Sequence, residues 1–365
     1  MSDGPTPVAA WIAETLPPLL SGLEALETLG RRLHPPVVGE VIAKLGVPEI
    51  AIQTQLSALE AVPWPEHLIP VRTCLQEAAS AVAGAFPKAR EALRAPEGVL
   101  GVYQALGAWS RACEALYPLA PVLLPVSQYF VEDSARGDMG LLGRLSTGGL
   151  RGGGENGLLH GGGEPGTRGG FSLYVPETYD PDTAHPLIMA LHGGGGNGRR
   201  FLWTWLRAAR TRGAILMAPT SLAETWSLTQ PEEDGTRLLD MRDAVAARWR
   251  IDPDRQLLTG ISDGGTFSYL VGFNADSPFT HIAPIAASFH PILLSLANPE
   301  KLRSVPVHLT HGVLDWMFPV DMAREAVEAL GAAGAGVTYS EIEDLSHTYP
   351  AERNGPVLDW MGVPS

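Results

Sequence analysis

The sequence predicts an α/β protein, a mostly parallel sheet with helices on both faces, preceded by a small all-α domain. Three observations carry this. Short apolar runs such as PLIMALH, AILMAPT and VPVHLTH recur after residue 171, with helical stretches between them. Strands that are apolar on both faces and joined by helices belong to parallel sheets covered on both sides. The first third instead repeats Leu and Ala at helical spacing, and 15 glycines fill residues 136–170 between the two regions.

The chain has 365 residues, 45% of them hydrophobic, which is enough for two domains with substantial cores. Its formal charge of −14 is spread evenly and offers no basic stripe, so nucleic acid is not an expected partner. The first twenty residues carry no basic leader and no segment reaches 18 consecutive apolar residues. A cytoplasmic protein without a membrane span is therefore expected. Cys74 and Cys113 read as reduced, partly buried thiols, although one disulfide between them is the alternative.

Residues 1–135 form the predicted helical domain. In LLSGLEALETLGRRL, Leu19, Leu20, Leu23, Leu26 and Leu29 fall on one helix face, and helices follow around 49–62, 66–84 and 97–118. Nothing there gathers a nucleophile, a base and ligands. It reads as a packing domain, with a cap or a homodimerisation module as the alternative. Residues 136–170 read as a flexible linker or as tight turns around short hairpin strands, because so much glycine is entropically expensive to order. His160 within it is expected to be solvated.

Residues 171–365 form the predicted catalytic domain. FSLYVPE opens it, PLIMALH is a buried strand, and RRFLWTWLRAART a helix leading to AILMAPT. TRLLDMRDAVAARWR then leads to RQLLTGI, followed by THIAPIAASFH, VPVHLTH, an Ala/Glu-rich helix and VTYSEIE. Loops at the carboxyl ends of such strands are where chemistry is normally built.

The stretch LLTGISDGGTFSY places Ser262 between a short buried strand and a new helix. A reversal this sharp forces the serine into a strained conformation with its hydroxyl projecting above the sheet. The flanking positions then accept only very small residues, and Gly260 and Gly264 stand there. The following helix start turns free N–H groups toward the same point, so the Asp263 amide is a natural donor to an oxyanion.

A second donor is expected from LHGGGGNG, at the end of the PLIMALH strand: the amide of Gly194, with Gly195 as the alternative. Gly193, Gly195 and Gly198 also satisfy a dinucleotide fingerprint. However, the next strand ends in Ala218-Pro219-Thr220, with no carboxylate for a ribose.

A serine needs a base, and the base an orienting carboxylate. His347, in the polar loop EDLSHTYP after the last strand, is the base of choice over His281, His290, His308 and His311. Asp315, in THGVLDWMFPV, is the acid, ahead of Asp321 and Asp344. The order Ser262, Asp315, His347 is that of a nucleophile-elbow enzyme. Trp226, Trp316 and His290 follow strand ends and are candidates for a pocket. The chemistry needs neither metal nor cofactor.

Together, FSLYVPETYDPDTAHPLIMALHGGGGNG, GISDGG, THGVLDWMFP and DLSHTYP make the chain resemble the α/β-hydrolase superfamily over residues 171–365. It looks most like the dienelactone hydrolase, phospholipase/carboxylesterase and polyhydroxyalkanoate-depolymerase-like branches. The resemblance implies an eight-stranded sheet with one antiparallel strand near its edge and a metal-free hydrolase acting on small-molecule esters. Serine rather than cysteine at position 262 departs from a true dienelactone hydrolase, and the helical first third has no counterpart. The rivals are a serine peptidase of the prolyl-oligopeptidase type and a catalytically silent binding protein on the same fold.

Overall fold

A computed structural model describes residues 6–96, 98–151 and 155–364. The expectations for Met1–Pro5, and for three of the glycines at 152–154, lie outside the described residues. The chain divides into two compact units, Met1–Phe130 and Val131–Ser365.

The first unit is helical: α1 (Pro7–Arg31), α2 (Val38–Lys44), α3 (Pro48–Ala58), α4 (Ile69–Ala92), α5 (Gly98–Ala105), α6 (Gly107–Leu116) and α7 (Leu124–Tyr129). Thr6 caps α1 by accepting the Ala9 amide, and a proline opens the helix where its missing N–H costs nothing. Leu19, Leu23, Leu26 and Leu29 are buried on one face as expected, and Leu20 is half-buried at its margin. The helices are longer than the proline spacing suggested. α4 runs through Pro87, where buried Ala85, Phe86 and Ala89 hold the backbone that a proline would otherwise break. Cys113 is buried and Cys74 half-buried, and the two are not joined in a disulfide.

The second unit opens with α8 (Met139–Arg151), inside the stretch expected to be linker or hairpin. Leu142 and Leu145 pack on Val131 and Ala135, and this burial outweighs the helix cost of glycine. Gly148 is there for a further reason: a Cβ on it would stand 2.2 Å from the Glu177 carbonyl oxygen. β1 (Gly157–Gly161) pairs antiparallel with β2 (Phe171–Val175), and His160 sits on β1 bonded to Ser172.

β3 (His185–Leu191), β4 (Ile215–Pro219), β5 (Ile251–Ile261), β6 (His281–Ile285), β7 (Val307–Gly312) and β8 (Val337–Ile342) complete one sheet in the order β1-β2-β4-β3-β5-β6-β7-β8. From β4 through β8 every pairing is parallel, and β2 runs against both its neighbours. This is the α/β-hydrolase fold, with its one antiparallel strand near the edge. Its helices are α9 (Gly198–Arg212), α10 (Pro231–Ala246), α11 (Asp263–Gly272), α12 (Ile292–Leu296), α13 (Pro299–Ser304), α14 (Val320–Ala332) and α15 (Asn354–Trp360).

One core joins β-strand residues such as Leu187, Met189 and Leu258 to Leu238 and Phe267, and another joins Val307 and Leu309 to Ala326 and Leu330. The strand expected through His290 stops at Ile285, because Ala286 turns the backbone to φ +45°. Among the described residues, no helix is long and apolar enough to cross a membrane.

Candidate active site

β3, β5, β6, β7 and β8 are parallel, so the loops that leave their carboxyl ends gather at one edge of the sheet. At the end of β5 the chain reverses on Ser262, which adopts φ +56° and ψ −122°, and α11 begins at Asp263. A non-glycine residue held there stores on the order of 1–3 kcal/mol of strain. The surroundings enforce it: the Ser262 amide donates to Ile285 O at 2.9 Å, and the Thr266 amide to Ser262 O at 2.9 Å. The flanking glycines are steric necessities. A Cβ on Gly260 would meet Gly264 C at 2.5 Å, and one on Gly264 would meet the Leu191 and His192 carbonyl oxygens at 2.5 Å.

The loop after β3 lies against this bend. A Cβ on Gly193 would touch Ser262 Cβ at 3.4 Å, and one on Gly194 would stand 2.8 Å from Asp263 Oδ2. The Gly195 amide is spent on Glu224 O and the Gly196 amide on Gly193 O. The amides of Gly194 and Asp263 have no partner among the described residues. Of the two donors weighed in this loop, the uncommitted one is Gly194.

The loop is braced from below. His192 donates from Nδ1 to Gly193 O at 2.7 Å and accepts the Ser221 amide on Nε2 at 3.1 Å, which fixes its tautomer. Trp226 Nε1 donates to His192 O at 2.8 Å. Arg168, delivered by the glycine-rich β1–β2 turn, donates to Gly196 O at 2.9 Å. The Asp263 carboxylate accepts from Thr225 Oγ1 at 2.5 Å.

Burial pushes the His192 imidazole down to about 4, against the opposing pull of its bond to Gly193. The folded value lies below the ordinary 6.5, so as pH falls the unfolded chain takes up the proton first. Stability is therefore expected to fall between about pH 6.5 and pH 4, by on the order of 3 kcal/mol from this group, and to level off below. Thermal melts at pH 7 and pH 4.5 should show a visibly smaller drop for His192→Asn than for the wild type. Equal drops would remove His192 as the source.

On the far side of the site, Asp315 follows β7 and His347 follows β8. His347 Nδ1 donates to Asp315 Oδ2 at 2.8 Å, with the Asp315 side chain fully buried. Asp315 Oδ1 accepts the amides of Met317 at 2.9 Å and Phe318 at 2.8 Å, so its carboxylate is clamped by its own turn. The Phe318 ring meets the His347 ring edge-on, with centroids 5.2 Å apart. No hydrogen bond joins Ser262 Oγ to His347, whose Nε2 is uncommitted among the described residues. Such contacts commonly tighten only when substrate is bound.

Of the other histidines, His311 lies beside Asp315 but is buried with its Nε2 on Phe318 O, while His308 bonds Ser340 and His281 starts β6 beside Thr280. Asp321 is on α14 and pairs with Arg324. Trp226 lies in the core, 2% exposed and stacked on Phe267, so its role is to brace the loop rather than to face an open pocket. Trp316 is 44% exposed and His290 is exposed. Thr225 and Arg168 carried no sequence signal, since only the folded hairpin and the β4–α10 loop bring them here.

No family model matches the chain. A curated relative named probable feruloyl esterase C, from Aspergillus terreus, is 27% identical over 179 residues, 46% of this chain and 64% of that protein. Feruloyl esterase C of Emericella nidulans is 27% identical over 159 residues, 41% of this chain and 56% of its own. The chain thus spans less than two thirds of the length of these relatives. Among solved structures, a thermostable esterase matches at 21% identity and TM-score 0.45, over 53% of this chain and 58% of its own. SOBER1 of Arabidopsis thaliana matches at 16% identity and TM-score 0.42, over 49% and 98%.

Proposed function

We propose that this chain, an α/β-hydrolase resembling serine esterases, hydrolyses carboxylic esters through an acyl-enzyme. The observation that carries the reading is a strained, half-buried serine beside two uncommitted amides, with a carboxylate-held imidazole in a loop at the same edge of the sheet.

Ser262 Oγ attacks the ester carbonyl carbon while His347 Nε2 takes the hydroxyl proton. Asp315 keeps the Nδ1–H tautomer and stabilises the imidazolium that forms. The negative oxygen of the tetrahedral intermediate sits between the amides of Gly194 and Asp263, each such contact worth about 10²–10³ in rate. Collapse breaks the ester C–O bond, and His347 returns its proton to the departing alcohol. Water then attacks the acyl-serine by the same route and releases the carboxylic acid.

The loops that leave this edge of the sheet carry exposed apolar side chains. Leu222 and Leu228 after β4, Ile292 and Leu296 after β6, and Leu314 and Trp316 after β7 are all exposed. This favours esters whose acyl group is large and apolar, and the names of the curated relatives make an aromatic acyl ester the first to test.

A fluorophosphonate probe followed by peptide mapping tests the assignment. The expected result is a single labelled residue, Ser262. Labelling of Ser221 or Ser346 instead rejects Ser262 as the nucleophile, and no labelling together with a silent ester panel rejects the hydrolase reading in favour of a binding protein.

A further inference from the structure

His311 lies on β7 with its side chain fully shielded from solvent. Its Nε2–H donates to Phe318 O at 2.9 Å and stands 3.4 Å from Asp315 Oδ2. Its other ring nitrogen, Nδ1, is buried without a partner. The connectivity has two consequences. Phe318 receives His311 on its carbonyl, gives its amide to Asp315 Oδ1, and sets its ring against His347. One side chain therefore fixes both the turn that carries the carboxylate and the aromatic wall of the imidazole. The same N–H also faces the carboxylate oxygen that His347 uses.

We infer that His311 is a positioning residue, an N–H donor that holds the Asp315–Phe318 turn and thereby the Asp315–His347 hydrogen bond. The inference rests on the reading of Asp315 and His347 as acid and base of the hydrolytic site.

Neutrality is essential to the role. A second imidazolium beside Asp315 would cancel the carboxylate charge that stabilises His347 during turnover. Burial works against that outcome, pushing the His311 imidazole below its ordinary value, and a proton on Nδ1 would find no acceptor. The ionisable groups that act on His311 are Asp315 from its own loop, His347 from the loop after β8, and Glu341 on β8. Glu341 is already engaged by Arg324 and Tyr339. An uncharged donor next to the acid thus supplies rigidity without competing for the proton.

Two substitutions and a resonance test this. His311→Leu removes the donor, while His311→Gln keeps an N–H near the position of Nε2. For p-nitrophenyl acetate, kcat is expected to fall about tenfold in the leucine variant with KM unchanged, and to recover largely in the glutamine variant. The downfield proton resonance of the His347 Nδ1–H should move upfield or be lost to exchange in His311→Leu and persist in His311→Gln. In the wild type, nitrogen-15 shifts at about pH 8 should place the His311 proton on Nε2. An Nδ1 proton there overturns the inference even if no variant folds. So does a leucine variant with unaltered kcat and resonance, or a glutamine variant as impaired as leucine. The resonance does not depend on turnover. A wild type that fails to hydrolyse or label while its His347 signal still responds to His311→Leu would count against the ester reading alone.

Discussion

Ser262→Ala is expected to lower kcat/KM for p-nitrophenyl acetate by roughly 10⁴-fold or more while leaving the fold intact. The two halves of this expectation have separate physical grounds. Activity collapses because the only proposed nucleophile is gone, and the two amides and the pocket can supply only the residual acceleration that positioning gives. Stability holds because Ser262 Oγ has no hydrogen-bond partner among the described residues, so its removal leaves no buried group unpaired. Alanine also inherits the same positive φ, so the strain is neither relieved nor increased. A melt within about 0.5 kcal/mol of wild type should accompany the loss. Turnover within about tenfold of wild type would mean that another nucleophile does the work.

How much the sequence revealed depended on how local the controlling interactions are. PLIMAL reads as a buried strand because every side chain on both faces is apolar, and β3 is buried along its whole length. The bend at Ser262 was legible because its requirements fall within a few residues of one another. The pairing of Asp315 with His347 was legible only through strand order, since the two lie at the ends of neighbouring strands β7 and β8. Three features were out of reach. α8 forms in a glycine-rich stretch because Leu142 and Leu145 bury themselves on Val131 and Ala135, a packing gain that propensity cannot register. Trp226 was visible as a residue after a strand, but its burial against Phe267 depends on where α11 lands. Arg168 reaches Gly196 only once the β1–β2 hairpin has paired with β4 at the sheet edge. In the last two cases, chain segments far apart in sequence decide the position.

The glycine next to the bend gives the second large effect. Gly264→Ala should destabilise the protein by about 2–4 kcal/mol and reduce turnover about a hundredfold in whatever fraction remains folded. The added methyl would stand 2.5 Å from the carbonyl oxygens of both Leu191 and His192. Neither is the tip of a side chain that could swing away: Leu191 is the last residue of β3 in the centre of the sheet, and His192 is held by Gly193, Ser221 and Trp226. Either α11 lifts off the sheet or the loop after β3 shifts. Both movements displace an amide of the pair at Gly194 and Asp263, so rate is lost along with stability. Gly331→Ala on α14 is the control. Nothing lies within 4 Å of its Cβ position, and a helical glycine exchanged for alanine should gain about 0.5–1 kcal/mol. The two variants make the same chemical change in helices of one sheet and are expected to move the melting temperature in opposite directions. If Gly264→Ala instead behaved like Gly331→Ala, the first turn of α11 could not be packed on the end of β3. The two amides would then lose the rigid support on which an oxyanion site depends.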